Sequence, residues 1–169
     1  DYATNNMRTD FLDIFLGSEC LFWISTGSGI DNLSKTFRKP ILYVNQVPFG
    51  HISTYQKTSL IYFKHFVDRI SNNQLNLDML KQKELCFATK SETFANKDVI
   101  VRENSQQEIE SATKEMYQRV KNNFWEPWDE TKNKQKEFWN KFPYEKELHG
   151  KIVANIAKEF LIKHKNFYN

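Results

Sequence analysis

The chain has 169 residues, 40% of them hydrophobic and 15% aromatic, which is enough apolar material for one folded domain and too much for a disordered chain. Its net charge is +3 and its pI about 8.7, with Lys and Arg interleaved among Asp and Glu, a balance that argues against nucleic acid as the partner. Cys20 and Cys86 each sit alone in an apolar run, so a disulfide scaffold and a zinc ribbon are excluded and a reduced, cytosolic setting is expected. No apolar run reaches the roughly 18 residues of a membrane span, and the opening DYATNNMRTD lacks the basic start and apolar centre of a secretory signal. The chain begins at Asp1 without Met and enters patterned sequence at once, so upstream residues, up to a whole lobe, are expected.

In chain order, Phe11, Leu12, Phe15 and Leu16 recur at helical spacing over residues 8–18, with Thr9 or Asp10 available as a cap. Residues 20–25 form an unbroken apolar run, which suits a strand covered on both faces in a parallel sheet. Ile30, Leu33 and Phe37 mark a helix over about residues 29–38, and Lys39-Pro40 opens a second strand at Ile41-Leu42-Tyr43-Val44. The result is a βαβ unit whose ligand edge, outside the carboxyl ends of the strands, carries residues 26–29 and 45–51. Farther on, residues 59–66 read as a strand or a short helix, residues 71–74 as a polar turn, residues 77–83 as a helix and residues 99–101 as a strand. Residues 105–120 read as a helix capped by Asn104 or Ser105, with Glu108 near its start.

From residue 122 the character changes. Trp125, Trp128, Phe138, Trp139 and Phe142 punctuate charged sequence, and Ile152, Ile156, Phe160 and Leu161 mark a final amphipathic helix opened by His149-Gly150. The division expected is therefore an α/β lobe over residues 1–121 and a helical extension over residues 122–169. The Trp cluster can stack on a sugar or base, though such residues more often anchor a tail onto a core.

The turn Ser25-Thr26-Gly27-Ser28-Gly29 carries the chemistry. Between a parallel strand and a helix N-terminus, unpaired backbone N–H groups and the helix dipole favour an anion, with phosphate the natural guest. Gly27 and Gly29 allow close backbone approach, while Ser25, Thr26 and Ser28 offer hydroxyls. The same residues also suit a tight turn with no ligand. A P-loop and a dinucleotide fingerprint are both excluded, the first by the missing G-x-x-x-x-G-K-[ST] and the second by Asn32 where a third Gly or Ala is needed.

The runs RTDFLDIFLGSECLFWISTGSGIDNLSKTFRKPILYVNQVP and ELHGKIVANIAKEFL resemble an uncharacterised family of bacterial glycosyltransferases found among surface-polysaccharide genes. The resemblance is to part of their carboxyl-terminal lobe. More distantly, the strand, Ser/Thr-Gly turn, helix and K-P-hydrophobic strand are similar to the donor-binding lobe of GT-B glycosyltransferases and of non-hydrolysing sugar-nucleotide epimerases. The resemblance implies a Rossmann-like α/β lobe of GT-B type, with parallel strands and helices on both faces, beside a missing amino-terminal lobe that binds a glycan or lipid-linked acceptor. It also implies a cytoplasmic enzyme working at the inner face of the membrane in peripheral association.

Carried over by position, Ser25, Thr26, Gly27, Ser28 and Gly29 would face the donor diphosphate, and Asp31 would face the sugar or simply stabilise the helix N-terminus. Arg8 would pair with phosphate or with Asp10 or Asp13. Asn45 would touch a base or ribose from the strand end, Tyr43 would belong to the core, and His51 would bind phosphate or act as a base. His65 and His164 show no metal-ligand spacing and His149 reads as a packing residue, so neither metal nor cofactor is expected beyond the nucleotide-sugar substrate itself. The function implied is sugar transfer from a nucleotide-sugar donor, driven by stabilising the departing nucleoside diphosphate, with the catalytic base outside this chain. A sugar-nucleotide epimerase on the same fold and a non-catalytic interaction lobe remain as alternatives.

Overall fold

A computed structural model describes residues 4–168. Thr9 caps the first helix, α1 (Asp10–Glu19), by accepting a hydrogen bond from the Leu12 N–H. The chain then forms β1 (Trp23–Ser25), α2 (Asp31–Thr36) and β2 (Ile41–Gln46), and β1 pairs with β2 in parallel. The expected βαβ unit is present, with β1 starting three residues later than the apolar run because the Cys20 N–H still bonds Leu16 O at the end of α1.

After a loop over residues 47–58 comes β3 (Ser59–Phe63), parallel to β2 and buried along its whole length. With β6 (Asn155–Ile156) the sheet has the order β1-β2-β3-β6, every pair parallel. The inner strands β2 and β3 are rich in Ile, Leu, Val, Tyr and Phe because both of their faces are covered, whereas Ile24 on the edge strand β1 is half exposed.

Two expectations are corrected. Residues 59–66 are not one element: Lys64 separates β3 from β4 (His65–Asp68), which pairs antiparallel with β5 (Val99–Arg102) in a sheet of its own. The strand at 99–102 therefore does not extend the parallel sheet. Between them lie the turn at residues 71–74, α3 (Leu77–Gln82), capped by Asn76, and α4 (Ser91–Ala95).

The second correction lies in the carboxyl-terminal third. α5 (Gln106–Lys121) has the capping box anticipated at its start, Ser105 and Glu108 each bonding the other's backbone N–H. A 3-10 turn at Asp129–Thr131, α6 (Lys132–Lys141) and α7 (Lys146–His149) follow. The expected helix over 152–161 is instead strand β6, then α8 (Lys158–Lys163) and α9 (Lys165–Tyr168). The segment thus supplies helices and also a strand of the main sheet. Gln135 makes that short strand tenable: its side-chain amide donates to Ile156 O at 2.7 Å and accepts from Ile156 N at 3.1 Å, satisfying the backbone on the side away from β3. Gly150, at φ +57, ends α7 and does not open a helix.

The core is aromatic. Phe49, Phe63, Phe138, Phe160 and Phe167 are buried and in ring contact, which joins the loop after β2, the central strand and the carboxyl-terminal helices into one cluster.

Candidate functional site

At the carboxyl edge of β1 and β2 an open cavity of about 280 Å³ is lined by Gly27, Ser28, Asp31, Lys35, Tyr43, Gln46, Val47, Pro48, His51 and Ser53. Its first wall is the turn. Ser25 donates its hydroxyl to Asp31 and accepts the Gly27 N–H at 3.2 Å, so Ser25 folds the turn and does not face the cavity. Gly27 has φ +86, so its backbone conformation favours glycine; a Cβ there would lie 3.0 Å from the end of the flexible Gln46 side chain, which can move aside. Gly29 is different: nothing lies within 4 Å of where its Cβ would be. Thr26 and Gly29 are exposed and outside the lining.

The second wall is α2 and the strand behind it. Asp31 and Lys35 lie four residues apart on one helix face, and both reach the cavity. Burial pushes the Asp31 carboxyl above its usual range, while the Ser25 hydroxyl and the Lys35 charge act in the opposite direction. Tyr43 is only 4% exposed, and its hydroxyl lines the cavity beside Ser53 without a hydrogen bond of normal geometry. Burial pushes that phenol up to about 12, so it presents a neutral O–H.

The third wall is the loop after β2. Gly50 lets it pass the Phe87 ring, where a Cβ would meet ring carbon at 2.5 Å. His149, buried beneath, accepts the Glu145 N–H at Nδ1 (2.8 Å), which leaves Nε2 to donate to Gly50 O at 2.7 Å. This is the packing role anticipated for His149. His51 is thereby held at the cavity, edge-on to Phe87.

Two residues expected here are used elsewhere. Arg8 pairs with Asp13 at 3.3 Å and does not line the cavity. Asn45 sits at φ +52 in the irregular register of β2, its N–H bonding Asn104 Oδ1 and its Oδ1 accepting the Asn104 N–H. That reciprocal pair ties the strand end to the start of α5, so Asn45 is occupied as a clip. Lys35, Gln46 and Ser53 were not anticipated, although Lys35 was readable as the residue one turn beyond Asp31. Tyr43 is core, as expected, but its polar end is not.

Elsewhere, Trp125 and Trp139 are half-buried and line an open cavity of about 580 Å³ at the amino end of β6, the edge opposite the usual ligand edge. His65 and His164, given no role from sequence, come together on Glu108. Burial alone would raise the Glu108 carboxyl, but the Ser105 N–H and hydrogen bonds from His65 and Tyr62 outweigh it and hold the carboxyl at about 2. Burial lowers His164, against its bond to Glu108.

Among the described residues no helix is long and apolar enough to cross a membrane. Comparison with protein-family models, with curated proteins and with solved structures returned no match to this chain.

Asp31 gives the site a pH signature. Its folded carboxyl is raised, so its contribution to stability is fully present below the unfolded pKa of about 3.9 and is lost as pH rises through the folded value. Asp31→Asn is therefore expected to gain stability over the parent as pH rises from about 4 to 7, with little difference below. Urea melts at a series of pH values check this; a gap that is constant with pH would show that burial does not penalise the carboxylate.

Proposed function

We propose that the chain is the donor-binding lobe of a glycosyltransferase, Rossmann-like and of GT-B type, with the diphosphate of a nucleotide-sugar seated at the carboxyl edge of β1 and β2. The observation that carries this reading is the Tyr43 hydroxyl, a buried polar group whose contact with Ser53 falls short of normal hydrogen-bond geometry, beside a cavity whose other polar groups match such a donor. Lys35, His51 and the Ser28 hydroxyl suit the phosphates, while Asp31, Gln46 and the Tyr43 hydroxyl suit sugar hydroxyls. A cavity of about 280 Å³ takes the diphosphate and part of the sugar, and the remainder extends into the open mouth. The resemblance of residues 8–48 to glycosyltransferase donor lobes supplies the reaction: the Lys35 ammonium stabilises the nucleoside diphosphate as it departs. The acceptor and its base belong to the partner lobe.

Tyr43→Phe is the cleanest test. With no ligand it removes an unsatisfied buried hydroxyl, so its melting temperature should equal or exceed the parent's. With nucleoside diphosphates or nucleotide-sugars, affinity should drop by roughly the worth of one hydrogen bond, about 0.5–1.5 kcal/mol or two- to twelvefold. Gly29→Val should leave both the fold and donor binding intact, since its side chain meets nothing and Gly29 lies outside the cavity lining, whereas Lys35→Ala should weaken donor binding by removing the lining's lysine. Gly27→Val should lower stability whether or not a ligand binds. Calorimetric titration with melting curves decides; unchanged affinity in both Tyr43→Phe and Lys35→Ala would remove the site.

A further inference from the structure

His65 starts β4, Glu108 lies in the first turn of α5 and His164 ends α8, yet their side chains meet. Nε2 of His164 lies 3.0 Å from Glu108 Oε1, and Nε2 of His65 lies 3.1 Å from both carboxylate oxygens. The two imidazole rings are 4.7 Å apart between centroids, and the three ligating atoms all fall within 4.8 Å of one another. We propose that His65, Glu108 and His164 bind one divalent transition-metal cation of the zinc class, with a fourth position open to solvent.

Hydrogen-bond capacity supports a cation at this point. Five groups converge on the Glu108 carboxylate: the Tyr62 hydroxyl at 2.9 Å, the two imidazole nitrogens, and the Ser105 N–H and hydroxyl at 2.7 and 3.0 Å. A carboxylate offers about four lone-pair positions, so not every converging group can be a donor. At least one imidazole nitrogen is therefore not a donor and presents a lone pair beside the carboxylate, and with both imidazoles neutral and turned to the same point the cluster offers a cation three ligand atoms. The spacing also fits. Bonds of about 2.0–2.2 Å in tetrahedral geometry place ligand atoms about 3.3–3.6 Å apart, so the histidines and the carboxylate, at 3.0 and 3.1 Å, need to part by only a few tenths of an ångström to take the ion.

The donor set selects the class of ion. Two imidazoles and a carboxylate suit zinc, and iron(II) or cobalt(II) as its analogues, whereas calcium and magnesium take oxygen ligands. The surroundings resemble a support for such a ligand: Ser105 fixes one carboxylate oxygen through two hydrogen bonds, and Tyr62 OH approaches the other. Access is provided by an open cavity of about 360 Å³ that the three residues share with Asn72, Gln74 and Arg102.

The test is cobalt(II) titration of chelator-treated, full-length chain, followed by zinc(II) competition. The expected result is one equivalent with the visible absorption of low-coordinate cobalt, no thiolate charge-transfer band, and displacement by zinc. His65→Asn and His164→Asn keep a donor toward Glu108 and should each weaken cobalt binding by more than the roughly 10–100-fold typical of losing an outer-shell partner. Because these variants risk misfolding, the wild type supplies a second reading: zinc should shift the imidazole nitrogen resonances of two of the four histidines and no others. Absence of stoichiometric binding by the folded wild type, binding unchanged in both Asn variants, or four unshifted histidines would each overturn the site. None of these outcomes depends on nucleotide-sugar binding at the Tyr43 cavity.

Discussion

Glu115→Ala is expected to cost about 3–5 kcal/mol of unfolding free energy, the range for breaking a buried ion pair by removing one partner. Glu115 and Arg119 lie one turn apart on α5, and Arg119 is 1% exposed. The Arg119 Nε donates to Glu115 Oε1 at 2.9 Å; Nη2 lies 2.8 Å from the same oxygen but outside hydrogen-bond geometry, and Nη1 donates to Glu126 O at 3.1 Å. The guanidinium also packs over the Trp128 ring. Glu115 in turn accepts the Trp128 indole N–H at 2.9 Å and the Lys158 backbone N–H at 2.7 Å. Removing its carboxylate leaves a buried guanidinium without its charge partner and two more donors without an acceptor.

The double replacement Glu115→Leu with Arg119→Met should cost much less than the single change, since it removes the desolvated charges along with their attraction. Urea denaturation of the parent, single and double variants gives all the quantities needed. A single-variant loss under about 1 kcal/mol, the value of an exposed pair, would mean that water reaches this pair. The pair matters to the architecture because it fastens α5 to both the Trp128 turn and the start of α8, the segment carrying His164.

What was legible in the sequence was local. The βαβ unit at residues 20–46 could be read because an apolar run, a Gly turn, a helical period and Lys39-Pro40 succeed one another with no long-range information. The Ser105-Glu108 cap is a motif of four residues and was equally visible. Strand β6 was not, because Ile152, Ile156 and Phe160 repeat every four residues as in a helix, and the strand exists only where β3 on one side and the Gln135 amide on the other satisfy its backbone. The candidate cavity was half visible: Gly27, Ser28 and Asp31 line it as read from the motif and His51 as read from its place in the loop at the strand edge, while Ser53 was not foreseen. The His65-Glu108-His164 cluster had no spacing to betray it, since its members are 43 and 56 residues apart from Glu108.

The carboxyl-terminal aromatics give the second large effect. The sequence marked Trp125 and Trp139 as anchors, but both are only half-buried, whereas Phe138 is 0% exposed. The Phe138 ring stacks on Phe63 at 5.6 Å and meets Phe49 at 6.0 Å, Phe160 at 6.3 Å and Tyr168 at 5.9 Å. It therefore joins α6, the central strand β3, α8 and α9 in a single contact set. Phe138→Ala should cost about 3–5 kcal/mol, the lost transfer free energy plus the cavity left among rings that cannot collapse onto it. Trp139→Ala removes a larger side chain but from a half-exposed position, and should cost distinctly less. The ranking is the test, by urea denaturation under identical conditions. A loss at Trp139 equal to or greater than that at Phe138 would place the anchor at the rim of the 580 Å³ cavity and not in the core. Phe49 extends the consequence to the candidate site: it lies in the loop that carries His51, so relaxation of Phe49 into the space left by Phe138 should loosen that loop and weaken donor binding in molecules that remain folded. Donor affinity unchanged in folded Phe138→Ala protein would show that Gly50, Phe87 and His149 hold the loop without Phe49.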